Sequence, residues 1–313
     1  MSIIVPDGDK QLLKRLQKSG AAVVTEEEAA HQDIRPARIG ILNLMPATSM
    51  ETTETQWLRY ISRTVLQIEP VLVKFDDDSR EQDNSSRKAV LERYTKLSKV
   101  VEKGLDGLII TGDNLELKNK DASTKQELLP FNEITYAKQL ADVVDWARDN
   151  VRSTIYSCLA SHFAINHIYG IERELAKDKI FGVYKHDVVE NSNNAFIAGL
   201  DDVFTAPHSR WGDVSIDSLQ DDSLEILAIS SIAGWILASS RNKTGGNDLL
   251  IQGHPEYDKY DLDKEYQRDK DGGQIEPINY YSKHKKTPIS TWATDARALH
   301  SNWIDEIYKY FSE

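Results

Sequence analysis

Short, continuous apolar runs alternating with helical patterns set the tightest limit on what this chain can fold into. Ile39-Gly40-Ile41-Leu42-Asn43-Leu44 and Gly107-Leu108-Ile109-Ile110-Thr111-Gly112 lack the in–out alternation of a strand with one wet face. Such runs fit strands covered on both sides, as in parallel sheets. Ser153 to Ser157 reads as a further strand leading into Cys158 and a helix from Leu159 to Tyr169, stopped at Gly170. Just before it, Tyr136, Leu140, Val143, Val144 and Ala147 share one helix face. Gln67 to Phe75 reads as another strand, and helices are expected over 54–63 and 88–102. Later strands are expected near 224–230, 234–240 and 248–252, the last two joined by a glycine-containing turn from Asn242 to Asn247. This alternation predicts βαβ units, and hence an α/β fold with a mainly parallel sheet.

No linker or internal repeat divides the chain. Residues 1–37 read as an N-terminal extension, a short helix over about 9–19 plus a polar connector. Residues 38–313 read as one domain, with 257–313 packed on as a long tail. A chain of 313 residues that is 40% apolar can bury a sizeable core. Its formal charge of −12 argues against nucleic-acid binding, since no net positive field gathers phosphates. The single cysteine, Cys158, forms no intramolecular disulfide and fits a reducing cytoplasm. The N-terminus lacks a signal-peptide pattern, and no apolar run nears the ~20 residues that span a bilayer. No membrane association is expected, and the sequons at Asn84 and Asn242 read as chance matches. Asp76-Asp77-Asp78 reads as a solvated loop.

Cys158 is the first candidate for chemistry. It ends a strand and opens a helix, the setting of a nucleophile elbow, where a helix N-terminus favours thiolate. A thiol nucleophile needs a base, and the base needs an orienting group. Gly253-His254-Pro255-Glu256 follows a strand, where parallel sheets place ligand sites. Positions i and i+2 of an extended segment point the same way, so Glu256 can hold the His254 ring while His254 faces Cys158. Gly112, closing its strand, allows close approach of a backbone N–H to an oxyanion, and the Leu159 N–H can complete the hole. Each of these also has a bland reading: a buried thiol, a loop histidine, a turn glycine. His162, one turn after Cys158, faces either the site or the core, and His167 lies on the surface or in the core. There is no His-Glu-x-x-His, Walker or Gly-x-Gly-x-x-Gly pattern, so no metal and no tightly bound cofactor is expected.

Taken in order, Ile41-Leu42-Asn43-Leu44-Met45-Pro46, Thr111-Gly112, Cys158 with its helix, Pro207-His208-Ser209-Arg210, Gly253-His254-Pro255-Glu256-Tyr257-Asp258 and Arg268-Asp269 resemble the MetA-type homoserine O-acyltransferase family over nearly the whole chain. The resemblance implies a flavodoxin-like three-layer sandwich of the class I glutamine-amidotransferase type. It implies a ping-pong reaction in which Cys158 carries the acyl group as a thioester and His254, oriented by Glu256, activates the acceptor hydroxyl. Lys179, Ser209 and Arg268 fall where the family binds substrate. Glu116 falls at the position tied to acyl choice, where glutamate accompanies acetyl donors and glycine succinyl donors; a carboxylate there repels a succinyl carboxylate. Acetyl-CoA as co-substrate, L-homoserine as acceptor and a place in methionine or cysteine biosynthesis follow, and family analogy admits a homodimer. The chain departs from the family at Asp113-Asn114, at Leu159, and in the segment Ala47 to Glu54, read as a lengthened loop. These departures keep L-serine open as the acceptor and succinyl-CoA as the donor. A glutamine amidotransferase and a silent binding protein on the same scaffold are the remaining alternatives.

Overall fold

The side chains of the central strands divide between two cores. Leu108, Ile110, Tyr156 and Leu250 enter one apolar cluster, while Ile39, Ile41, Ile109, Ile155, Leu249 and Ile251 enter another on the opposite face. Covering both faces is what continuous apolar strands demand, because each fully buried aliphatic side chain contributes about 1.5–3 kcal/mol. The structure is a computed structural model and describes residues 2–30, 35–64, 67–78, 80, 85–118, 126–190, 192–284, 286–309 and 311. The sequon at Asn84 lies outside the described residues.

In chain order the elements are β1 (Ile3–Val5), α1 (Lys10–Ser19), β2 (Val23–Thr25), α2 (Glu26–Ala29), β3 (Ala37–Leu42), α3 (Ala47–Ile61), β4 (Ile68–Lys74), α4 (Ser85–Leu91), β5 (Thr95–Lys96), α5 (Leu97–Lys103), β6 (Gly107–Ile110), α6 (Ala137–Asn150), β7 (Ser153–Ser157) and α7 (Leu159–Tyr169). They continue with β8 (Glu174–Val188), β9 (Val203–Asp213), β10 (Leu224–Ser230), β11 (Gly234–Arg241), β12 (Asn247–Ile251), α8 (Asp261–Asp269) and α9 (Ala293–Tyr308). Among the described residues the strands form one sheet in the order β2-β1-β4-β3-β6-β7-β12-β11-β10-β8-β9, with β5 beside β4. From β2 to β12 every pairing is parallel; beyond β12 every pairing is antiparallel. Helices α5, α6 and α7 pack on one face, and α1, α3 and α9 on the other. This is an α/β three-layer sandwich with a mainly parallel central sheet.

Several elements differ from the sequence reading. The segment after Pro46 is not a lengthened loop: α3 begins at Ala47, and Met50, Thr53, Glu54, Gln56 and Trp57 form its buried face. Packing there overrides the modest helix propensity of its serine and threonines. The helix expected over 88–102 divides into α4 and α5 around β5. Residues 1–37 contain α1 where a helix was expected, with Asp9 accepting from the Leu12 N–H at 2.9 Å, but they also add β1 and β2 to the sheet edge, Ile3 pairing with Ile68. The region 257–313 includes α9, whose Trp303 is fully buried under the sheet and donates through Nε1 to Ser153 Oγ at 2.9 Å. Asp78 is buried rather than solvated and is forked by Arg80. Asn242 is buried too, donating to Asp248 Oδ1 at 3.0 Å, which suits a turn anchor and not a sugar acceptor. The long strands β8 and β9 went unread in the sequence.

Candidate active site

Three neighbouring parallel strands bring the chemistry together. Ile110 of β6 pairs with Tyr156 of β7, and Ser157 of β7 pairs with Ile251 of β12. The residues just past these carboxyl ends are Gly112, Cys158 and His254, so register alone gathers them at one edge. Cys158 is the N-cap of α7 and sits at φ 51°, ψ −115°, a strained conformation for a residue with a side chain. Its N–H donates to Ile251 O at 2.7 Å, which ties the elbow to the base-bearing strand. Cys158 is buried, 3% exposed.

His254 hydrogen-bonds through Nδ1 to Glu256 Oε1 at 2.8 Å, and its ring stacks on Tyr257 with centroids 4.2 Å apart. With Nδ1 so engaged, Nε2 is the ring atom left for Cys158, which acts electrostatically on the imidazole. Burial works against a charge on this ring, but the combined pull of Cys158 and Glu256 wins and raises its pKa well above the ordinary histidine value. Helix α3 braces the loop from outside: Arg59 pairs with Asp258 and reaches Glu256 O at 3.5 Å, and Gln56 donates to Asp261.

Gly112 lies against the nucleophile. A Cβ at this position would stand 3.1 Å from Cys158 Cβ and 3.7 Å from Leu159 N. Among the described hydrogen bonds, none is donated by the N–H of Gly112 or of Leu159. Two free N–H groups beside the thiol can receive a developing oxyanion.

The family signature of homoserine O-succinyltransferase matches residues 2–312. The chain belongs to the homoserine O-succinyltransferase family. It is accordingly an acyltransferase of the homoserine O-acyltransferase group in methionine biosynthesis. A homoserine O-acetyltransferase of Thermotoga petrophila is 38% identical over 310 residues, 97% of this chain and 95% of its own. A homoserine O-succinyltransferase of Pseudoalteromonas atlantica is 36% identical over 295 residues, 93% and 90% of the two chains. A solved structure named SMU.1228c shares the fold at TM-score 0.54 and 16% identity, covering 86% of this chain and 99% of that one. Overall identity to relatives therefore leaves the donor open, and family membership sets aside the amidotransferase and silent-binder readings.

The residues matched to the family's substrate positions lie together on one flank of the site. Ser209 of β9 donates to Glu265 Oε2, whose Oε1 accepts from Tyr257 OH at 2.7 Å. Lys179 of β8 donates to Gln274 Oε1 at 3.0 Å; burial lowers its pKa, while Glu265, Asp269 and Glu116 oppose that. Arg268 is 62% exposed in its side chain and forks onto Asp269 at 2.6 Å. Glu265 was missed by the sequence reading; its signal is the i, i+3 spacing to Arg268 on one helix face. His162 faces inward, with Nε2 2.9 Å from Gln252 Oε1, and burial drives its pKa down to about 3. His167 is exposed, its Nε2 2.9 Å from Asp145 Oδ1.

Glu116 is buried and turned back onto β9. Its Oε2 accepts from Trp211 N–H at 2.8 Å and its Oε1 from Gly212 N–H at 3.3 Å. Arg173 and Arg210, both buried, feel the charges of Glu116 and Cys158. Arg210 is committed to Gly212 O, Ala233 O, His208 and Asp213. Of the family departures, Asp113 accepts from Tyr136 OH at 2.6 Å, and Leu159 is a buried residue of the α7 core face.

Proposed function

We propose that this chain transfers acetyl from acetyl-CoA to the hydroxyl of L-homoserine through a thioester on Cys158. The observation that carries this reading is the line Cys158–His254–Glu256, with two undonated N–H groups beside the sulfur. In the free protein the raised pKa keeps His254 protonated against the sulfur. Sγ attacks the thioester carbonyl, and the oxygen's negative charge is held by Gly112 and Leu159. The C–S bond to CoA breaks, and CoA leaves as a thiol with the His254 proton. Acylation removes the negative sulfur that held His254 protonated, so the ring is now a neutral base. It takes the acceptor's hydroxyl proton as that oxygen attacks the Cys158 thioester; collapse frees the O-acyl amino acid and restores the sulfur–imidazolium pair. No metal or bound cofactor is needed for these steps.

Lys179, Ser209 and Arg268 bind the amino acid in this reading, with Arg268 exchanging Asp269 for the substrate carboxylate. Acetyl is favoured over succinyl in this reading because Glu116 places a carboxylate at the family's acyl-choice position, where it repels a succinyl carboxylate. The reaction belongs in the cytoplasm, and a homodimer is the assembly proposed by family analogy. The test is intact mass after incubation with acetyl-CoA alone: an acetyl adduct is expected on wild type and none on Cys158→Ala, whose turnover falls at least ~10³-fold. A Cys158→Ala chain with full turnover would overturn the nucleophile. Comparing kcat/KM for L-homoserine and L-serine then decides the acceptor, since one methylene is worth only ~1–3 kcal/mol.

A further inference from the structure

Glu256 holds His254 through Oε1 alone; its Oε2 is buried and has no hydrogen-bond partner among the described residues. Two side-chain atoms on the helices that brace the catalytic loop share that condition: Nε1 of Trp57 on α3 and Nε2 of His300 on α9. Both residues are fully buried. Their rings meet edge-on with centroids 5.2 Å apart, and His300 stacks on Tyr60 at 4.8 Å. The same two helices grip the loop. Arg59 reaches Glu256 O at 3.5 Å and lies 4.8 Å over the Tyr60 ring, and Trp292, the N-cap of α9, donates through Nε1 to Tyr257 O at 3.0 Å. His300 and Tyr60 both feel the Glu256 charge. The tautomer of His300 follows from its one partner. Nδ1 meets Ala296 O, a carbonyl that only accepts, so Nδ1 carries the hydrogen and Nε2 is a bare lone pair. Burial keeps the ring neutral, lowering its pKa to about 4. The three atoms are therefore one donor, Trp57 Nε1–H, and two acceptors, His300 Nε2 and Glu256 Oε2. Two acceptors cannot bond each other, and a buried polar atom left dry is costly.

We propose that Trp57, His300 and Glu256 share one buried water, and that Trp57 and His300 are positioning residues for the Glu256 carboxylate. The water accepts from Trp57 Nε1–H and donates to His300 Nε2 and Glu256 Oε2, the three bonds typical of an internal water. The inference rests on the reading of Glu256 as the group that orients His254, and extends it outward to α3 and α9. Neither positioning residue touches substrate. Their effect is on the carboxylate: a hydrogen bond donated to Oε2 favours the charged form and fixes the group's rotation, so that Oε1 stays on His254 Nδ1. The titratable and charged groups about Glu256 are His254 and Tyr257 on its own loop, Arg59 and Tyr60 of α3 and His300 of α9, with Arg59 also paired to Asp258. Among the described residues none of them bonds Oε2 directly.

The experiment measures kcat and KM with acetyl-CoA and L-homoserine as a function of pH, with thermal midpoints beside them. The chains compared are wild type, His300→Phe, His300→Gln, Trp57→Phe, Trp57→Phe/His300→Phe, Glu256→Gln and Glu256→Gln/His300→Phe. His300→Phe keeps a ring and loses the acceptor, His300→Gln keeps an acceptor, and Trp57→Phe loses the donor. His300→Phe and Trp57→Phe are each expected to lower kcat about 10-fold, the worth of a hydrogen bond to a charged group, with KM near that of wild type. The acidic limb of kcat/KM is expected to move up by about one pH unit, because a carboxylate that loses a donor is protonated more readily. The double variant is expected to lose no more than the worse single, since one water serves both residues. His300→Gln is expected to keep most of the rate, and His300→Phe to change nothing further in the Glu256→Gln background. A thermal midpoint that falls while kcat and the acidic limb stay put makes the two residues structural only and overturns the proposal, as do losses that add in the double variant. In crystals of wild type one water is expected within ~3 Å of all three atoms; a dry chamber overturns the bridge even if the variants fail to fold. Full turnover in Glu256→Gln overturns the orienting role of Glu256 and the proposal with it.

Discussion

At the scale of single residues, the His254 imidazole lies between Cys158 and Glu256. Its raised pKa depends on both Cys158 and Glu256. In Cys158→Ala the His254 ring is expected to titrate at lower pH than in wild type, read from its Cε1–H NMR shift; an unchanged midpoint would mean the sulfur exerts no pull. Because the folded pKa lies above the unfolded value of about 6.5, protonated His254 stabilises the fold fully below that pH, and the contribution is lost as pH rises through the folded pKa. Gly112 offers a second test. A methyl there would sit 3.1 Å from Cys158 Cβ, yet Gly112 is not at positive φ, so the backbone accepts alanine. Gly112→Ala keeps the N–H but presses its methyl on Cys158, so kcat is expected to fall ~10²-fold, the cost of a small misplacement of the sulfur, while the fold is retained. The grouping of Cys158, His254 and Glu256 was legible in the sequence, because Cys158 and the His254–Glu256 segment each follow an apolar run. Glu265 was not, because its meaning comes from partners elsewhere in the chain, Ser209 and Tyr257.

At the scale of elements, the site is a consequence of strand register. β6, β7 and β12 end side by side, and α3 and α9 hold the opposite face. Trp303 of α9 is fully buried and bonded to Ser153 of β7. Trp303→Ala is expected to cost about 3–5 kcal/mol, seen as a lower urea midpoint at unchanged slope. A peripheral tail would show no such loss. The βαβ units were readable from their period and their punctuating glycines. α3 was read too short because the run Ala47 to Thr55 shows little apolar periodicity, and its buried face includes Thr53, Glu54 and Gln56. Glu54 is satisfied there by Arg15, Arg93 and Tyr94, partners that only folding supplies. β8 and β9 escaped notice because they pair antiparallel with each other and carry charged residues on their open faces.

At the scale of the whole molecule, buried neutral histidines link the fold to pH. Burial, first among the causes, lowers His162 and His186 to about 3 and His300 to about 4, and pushes His208 down as well. Each binds a proton more readily when unfolded, so stability falls as pH drops below about 6.5, with a slope approaching ~1.4 kcal/mol per pH unit for each ring. Urea melts at pH 7.0 and 5.5 are expected to show a clear loss at the lower pH; equal midpoints would show that these rings are hydrated in the fold. The sequence by itself determined the α/β class, the three strand ends that carry Gly112, Cys158 and His254, and the family, because apolar period and contiguous motifs are local properties of a chain. Only the tertiary structure decided that the first 37 residues extend the sheet, that Arg268 is engaged by Asp269, and that Glu116 fills a cradle of backbone N–H groups. Those outcomes depend on which groups satisfy one another across the fold, and no local pattern encodes the partner of a buried charge.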